Sequence, residues 1–167
     1  MTKNRLAPNR IRFWKRRIPT SLRAAVDESL AYAREAYNLS VEQIAERMGY
    51  GSHWTLYKQL AELSLKLTQV RAFEHACGID LLSRFYAASA GRVVIEIPAG
   101  RAVSAEDMQA LQLGIHQAVG ALLAFYAGRA DAEATLSAVT ESLTELAWHR
   151  ENVRKTASPE LPLEIEP

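Results

Sequence analysis

Ser40-Val41-Glu42-Gln43-Ile44-Ala45-Glu46-Arg47-Met48-Gly49, continued by Tyr50-Gly51-Ser52-His53-Trp54-Thr55-Leu56-Tyr57-Lys58-Gln59-Leu60, is the stretch on which the reading of the chain turns. It predicts two short helices joined by a glycine-containing turn, the layout of a helix-turn-helix. Ser40 is a good N-cap, and Gln43 three residues on completes a capping box. Ile44, Ala45 and Met48 give the first helix an apolar stripe, with Ala45 small where two helices cross. Gly49 suits the left-handed end of a helix. Ser52 is expected to cap the second helix, with Leu56, Leu60 and Leu63 facing inward. His53, Trp54, Thr55, Tyr57, Lys58 and Gln59 are left on its outer faces. A helical hairpin with capped ends and no ligand carries the same signals. The turn is also about one residue longer than the tightest form of the motif.

Charge distribution favours the DNA-binding alternative. The chain is nearly neutral, at +1, yet its charges are segregated. Lys3, Arg5, Arg10, Arg12, Lys15, Arg16, Arg17 and Arg23 fall within residues 1–26, which contain no acid. Residues 104–167 hold four basic and ten acidic groups. A basic arm over 1–19, with Phe13 and Trp14 among its arginines, suits phosphate contacts or a minor-groove arm. It equally suits a solubilising tail, or a segment docked by Phe13, Trp14 and Ile18. Pro8 and Pro19 are expected to interrupt any amphipathic helix there.

At 167 residues and 49% hydrophobic content the chain can bury a real core. A single cysteine, Cys77, excludes an intrachain disulfide and fits a reducing cytoplasm. No stretch approaches the ~18 apolar residues of a membrane span, and no secretory apolar segment opens the sequence. A cytoplasmic protein without a membrane partner is expected.

The helical period recurs almost throughout, and the expected fold is all-α. A helix over 22–37 follows a Thr20 or Ser21 cap, and the two motif helices come next. Thr68 and Asp80 are expected to cap two more, which end at Gly78 and Gly91. These complete a helix-turn-helix DNA-binding domain over 20–91. Val93, Ile95 and Ile97 then alternate with Val94 and Glu96, the period of a strand. One strand alone is unstable, so 92–103 either pairs with a copy or serves as an extended linker.

Beyond the linker, Ser104 with Asp107 starts a long helix carrying Met108, Leu111, Ile115, Ala118, Leu122 and Phe125. Asp131 starts another, carrying Leu136, Val139, Leu143, Leu146 and Val153. Heptad spacing in two helices joined by a short loop predicts a long antiparallel helical hairpin over 104–156, packed like a coiled coil. Gly114, Ala121 and Gly128 form a second stripe, of small residues, open to close approach by another helix. So much apolar surface predicts self-association into a homodimer or homotetramer, with packing back onto the first domain as the alternative. The acidic, proline-containing tail 157–167 is expected to be disordered.

Ala45-Glu46-Arg47, Gly49, Thr55-Leu56, Lys58-Gln59-Leu60, Leu67-Thr68, the run Cys77-Gly78-Ile79-Asp80-Leu81-Leu82 and Phe85 resemble the phage regulatory proteins of the CII type. These are activators of lysogeny in temperate coliphages, a family distinct from lambda CII. The resemblance covers roughly residues 20–155, with Ala61-Glu62-Leu63 where the pattern has an Asn-Pro break. It implies a phage- or prophage-encoded transcriptional regulator that binds DNA as an oligomer.

Other chemistry finds little support. His53, His75, His116 and His149 lack metal-ligand spacing, so no metal is expected. Cys77 reads as a buried small residue, and Glu141 with Glu145 as a solvated face. No glycine-rich phosphate loop is present; neither catalysis nor a cofactor is expected. The sequence therefore points to a sequence-specific, double-stranded-DNA-binding regulator. Ser52, His53, Trp54, Thr55, Tyr57, Lys58 and Gln59 are the candidate base and phosphate contacts, with Arg12, Lys15, Arg16 and Arg17 adding backbone contacts. Met108, Leu111, Ile115, Leu122, Phe125, Leu136, Val139, Leu143 and Leu146 are the candidate oligomerisation residues. RNA polymerase is a further candidate partner. The competing expectation is a helical protein-interaction adaptor without specific DNA binding.

Overall fold

A computed structural model describes residues 6–97 and 103–157, and the regular structure within them is entirely α-helical. The chain divides into two compact units, Met1–Val94 and Ile95–Pro167. Among the described residues there is no strand, so the alternating run at 92–97 forms none. A lone strand has no neighbour to receive its ladder hydrogen bonds.

In the first unit, α1 (Pro8–Arg16) precedes α2 (Leu22–Tyr37), which starts where Ser21 Oγ accepts from Ala24 N at 3.1 Å. α2 ends at Asn38, whose φ of 56° is the left-handed stop that asparagine tolerates. α3 (Val41–Arg47) carries the expected capping box: Gln43 Oε1 accepts from Ser40 N at 3.0 Å and Ser40 Oγ from Gln43 N at 3.4 Å. Gly49, at φ 77°, then turns the chain towards α4 (His53–Glu62).

Three expected caps differ. Ser52 holds the N-cap position of α4, but its side chain makes no capping bond. α5 (Leu67–Cys77) begins one residue before Thr68; Gln69 Oε1 accepts from Lys66 N at 3.2 Å and anchors the start there. Asp80 precedes α6 (Leu81–Ser89), yet its carboxylate pairs with Arg84 at 2.6 Å. The cap comes instead from Glu74 on α5, which accepts from Ser83 N at 2.7 Å and Ser83 Oγ at 2.9 Å. Buried ionised groups need such partners, and Arg71 Nη1 at 3.1 Å supplies a further one.

Phe73, Ile44, Leu56, Leu81, Leu82, Val26 and Cys77 form the centre of the core. Cys77 is the buried small residue expected, and burial pushes its thiol up to about 12. At the end of α4, Leu60 and Ala61 offer carbonyls of the last turn, and the Leu60 carbonyl accepts from the C-cap Leu63 N–H only at 3.4 Å. The Arg23 guanidinium donates to both, at 2.9 Å to Leu60 O.

Residues 8–16 of the basic arm form a helix, contrary to the expectation that Pro8 and Pro19 interrupt one. Pro8 stands in the first turn of α1, where a missing N–H costs nothing, and the helix ends before Pro19. Trp14 docks it, at 6% exposure, with Nε1 donating to Glu35 at 3.0 Å; Phe13 and Ile18 stay exposed.

The second unit contains α7 (Ala105–Tyr126) and α8 (Ala132–Ala157). Ser104 and Asp107 make the expected capping box, and Asp131 Oδ1 accepts from Ala134 N at 2.8 Å. The helices run antiparallel: Gly114 meets Ser142, while Val103 and Met108 share a cleft with Val153 and Thr156. The contact is not the coiled-coil packing that heptad spacing predicts. Of the heptad residues only Ala118 is buried; Leu111, Leu122 and Val139 are half-buried, and Met108, Ile115, Phe125, Leu136, Leu143, Leu146 and Val153 are exposed. Small residues make the close contact, with Ser142 Oγ donating to Gly114 O at 2.8 Å and Thr135 buried. Nor is Glu145 on a solvated face: its Oε2 is buried beside Gly114. The expected disordered tail lies outside the described residues except Ala157, which is helical.

Candidate nucleic-acid interface

α4 is anchored by Leu56 and Leu60, both buried, so the intervening positions turn away from the core. Ser52, Trp54, Thr55, Tyr57 and Lys58 are exposed, and His53 and Gln59 are half-buried. Trp54 is 71% exposed although aromatic rings are costly to leave in water. His53, Trp54 and Tyr57 form one aromatic cluster, with centroids 5.1 Å apart for His53–Trp54, 5.8 Å for Trp54–Tyr57 and 6.1 Å for His53–Tyr57.

Two hydrogen bonds fix α4 against α3 and the turn. The Tyr57 hydroxyl donates to Glu42 Oε1 at 2.7 Å. The Ser40 hydroxyl, Tyr57 and the Glu42 backbone N–H together hold the Glu42 carboxyl down at about 2. The same bond raises the Tyr57 phenol above its ordinary value. The Tyr50 hydroxyl donates to Gln59 Oε1 at 2.6 Å, bracing the long turn. The bond engages Gln59 Oε1 and leaves its amide N–H groups as the donors it can turn to a purine edge. Sequence reasoning missed Glu42 and Tyr50, whose partners lie 15 and 9 residues away and meet only when α3 and α4 pack.

α1 divides its cations between two faces. Arg10 and Arg17, with Trp14, turn to α2: Arg10 forks onto Glu35 at 2.7 Å and Arg17 onto Glu28. These carboxylates raise both guanidinium pKa values, and Arg10 with Trp14 lowers that of Glu35. Arg17 is therefore committed within the fold. Arg12, Lys15 and Arg16, at i, i+3 and i+4, share the exposed face. Arg84 Nη1 fastens the end of α1 by donating to Trp14 O at 2.9 Å and Lys15 O at 2.8 Å. The contacts holding α1 thus run to α2 and α6, while the outer residues of α4 form a separate group.

Among the described residues no cluster of three His, Cys, Asp or Glu is placed to hold a metal, and no helix is long and apolar enough to cross a membrane. No protein-family model, curated protein or solved structure matches the chain.

Proposed function

We propose that the chain is a sequence-specific, double-stranded-DNA-binding transcriptional regulator of the kind temperate phages carry, acting as an oligomer. The supporting observation is the outer side of α4: Trp54 and Thr55 exposed on a first turn without a side-chain cap, and Lys58 exposed one turn on, on a helix clasped to its predecessor. Such a turn offers N–H groups to a phosphate oxygen and side chains to the major groove. Lys58 suits guanine O6 and N7 or a phosphate, and Trp54 and the Thr55 methyl suit thymine methyl groups. The Glu42 charge repels phosphates, so its side of the cluster turns to base edges, where a carboxylate accepts from the cytosine amino group. Arg12, Lys15 and Arg16 add a cationic face suited to backbone contact.

The test is a salt-titrated binding assay of the full chain on random duplex DNA, followed by site selection. The reading requires affinity that falls steeply with salt and a preferred site. Absence of binding at low salt rejects it. The adaptor reading gains support from one observation, the row of exposed leucines on α8, and would then take over.

A further inference from the structure

α7 and α8 meet through small residues, and this fixes where their large ones go. At about 100° per residue from Gly114, Met108, Ile115, Val119 and Tyr126 form a row roughly a quarter turn from the contact. Counting likewise from Ser142, Leu136 and Leu143 lie about a quarter turn away, with Val139 and Leu146 between them and the contact. Equal rotations in the same sense on two antiparallel helices bring both rows to one side of the hairpin. Met108 and Val153 line a common cleft at one end of the hairpin. Tyr126 is 81% exposed, Leu136 66% and Val153 69%.

We propose that a second copy of this chain covers that open face with the same face of its own hairpin, closing a four-helix core. Area is one reason: the exposed parts of the two rows amount to roughly 600 Å², so two copies would bury about 1,200 Å², the lower end of a specific interface. For one copy, that is the top of the range for the largest patch on a typical monomer, ~300–600 Å². Charge is the other. Along α7 the face has no Asp, Glu, Lys or Arg, and along α8 it has only Arg150 and Arg154, near one end. The acidic residues Glu133, Glu141, Glu145 and Glu151 project to other sides. Two arginines at one end, Arg154 paired with Glu151, make no extended basic field for nucleic acid or anionic lipid, whereas apolar surface is complementary to itself, as a two-fold interface demands. The inference deepens the proposed function and rests on it only for the claim that two α4 helices act together. Mass is measured without DNA, so self-association and DNA binding can each fail alone.

The experiment is light scattering on the full chain at tens of micromolar, against a monomer mass of 18.6 kDa. The expected mass is a multiple of two. The double variant Ile115→Glu, Leu143→Glu should fall to monomer mass with its helical circular dichroism kept. Leu113→Glu, on the opposite side of α7 at 60% exposure, should keep the oligomer. If the double variant loses helicity, Leu136→Lys replaces it and should weaken association at least tenfold. A monomeric wild type overturns the inference, as does a Leu113→Glu variant that dissociates as readily as the open-face ones.

Discussion

The two units handle large side chains in opposite ways. Every one of the largest fully buried side chains belongs to α2–α6. In the hairpin, the buried residues are Ala118, Thr135 and Ser142, and most of the leucines and valines lie outside the contact. The first unit closes its own core and exposes the outer face of α4. The second joins its helices through small residues and leaves the material of a core on its surface. Hydrophobic content alone does not say whether a segment folds on itself or against something else.

Large-to-small substitution tests this contrast most strongly. Phe73→Ala should cost about 3–5 kcal/mol in chemical denaturation, because it opens a cavity the core cannot refill. Leu136→Ala should cost less than about 0.5 kcal/mol under monomeric conditions. Equal costs at the two sites would break the comparison.

Glu74→Ala should cost about 2–4 kcal/mol, since the first turn of α6 loses its buried acceptor, while Glu74→Gln keeps an acceptor and should cost less. Urea titration of both variants checks this. If Asp80→Ala proves the more damaging instead, the cap was assigned to the wrong carboxylate.

A smaller loss, about 1 kcal/mol, is expected from Ser40→Ala at the start of α3. Ser52→Ala should change stability by only a few tenths of a kcal/mol, because its hydroxyl makes no capping bond. Thermal melts of the pair separate a working cap from an unused one.

The last prediction is spectroscopic. A carboxyl held at about 2 in the folded chain, against the ordinary ~4.3, contributes stability that is complete above the unfolded value and lost as pH falls towards 2. An NMR titration of Glu42 should therefore show its midpoint near 2, rising in Tyr57→Phe. An ordinary midpoint in the wild type would mean that the α3–α4 clasp is open.

Local pairings were legible in the sequence, and contacts that depend on packing were not. The boxes at Ser40–Gln43 and Ser104–Asp107 form as read, because cap and partner lie three residues apart on one turn. The bonds from Arg10 and Trp14 to Glu35 span 25 and 21 residues, and they turn an arm that could have been loose into a docked helix. Glu74 escaped notice as a cap because it belongs to the preceding helix. In the hairpin, heptad spacing grouped Met108 and Ile115 with Ala118 and Phe125. Gly114 and Ser142 make the contact and leave Met108 and Ile115 exposed, because periodicity does not reveal which stripe faces the partner helix. At the candidate interface, Trp54, Thr55 and Lys58 stand exposed as expected, while Arg17 forks onto Glu28 and the Gln59 carbonyl bonds Tyr50.

The central claim is that the outer side of α4 reads DNA. Its most direct test is fluorescence anisotropy of the full chain on its selected duplex, across a salt series, with Trp54→Ala, Lys58→Ala and Arg12→Ala in parallel. Trp54→Ala should cost about 1–3 kcal/mol and should abolish any penalty for replacing a contacted thymine by uracil, which lacks the methyl group. Lys58→Ala should cost a similar amount at one position, whereas Arg12→Ala should weaken all duplexes alike and reduce the salt slope by about one. Unchanged affinity in both α4 variants, with the fold intact, would contradict the account.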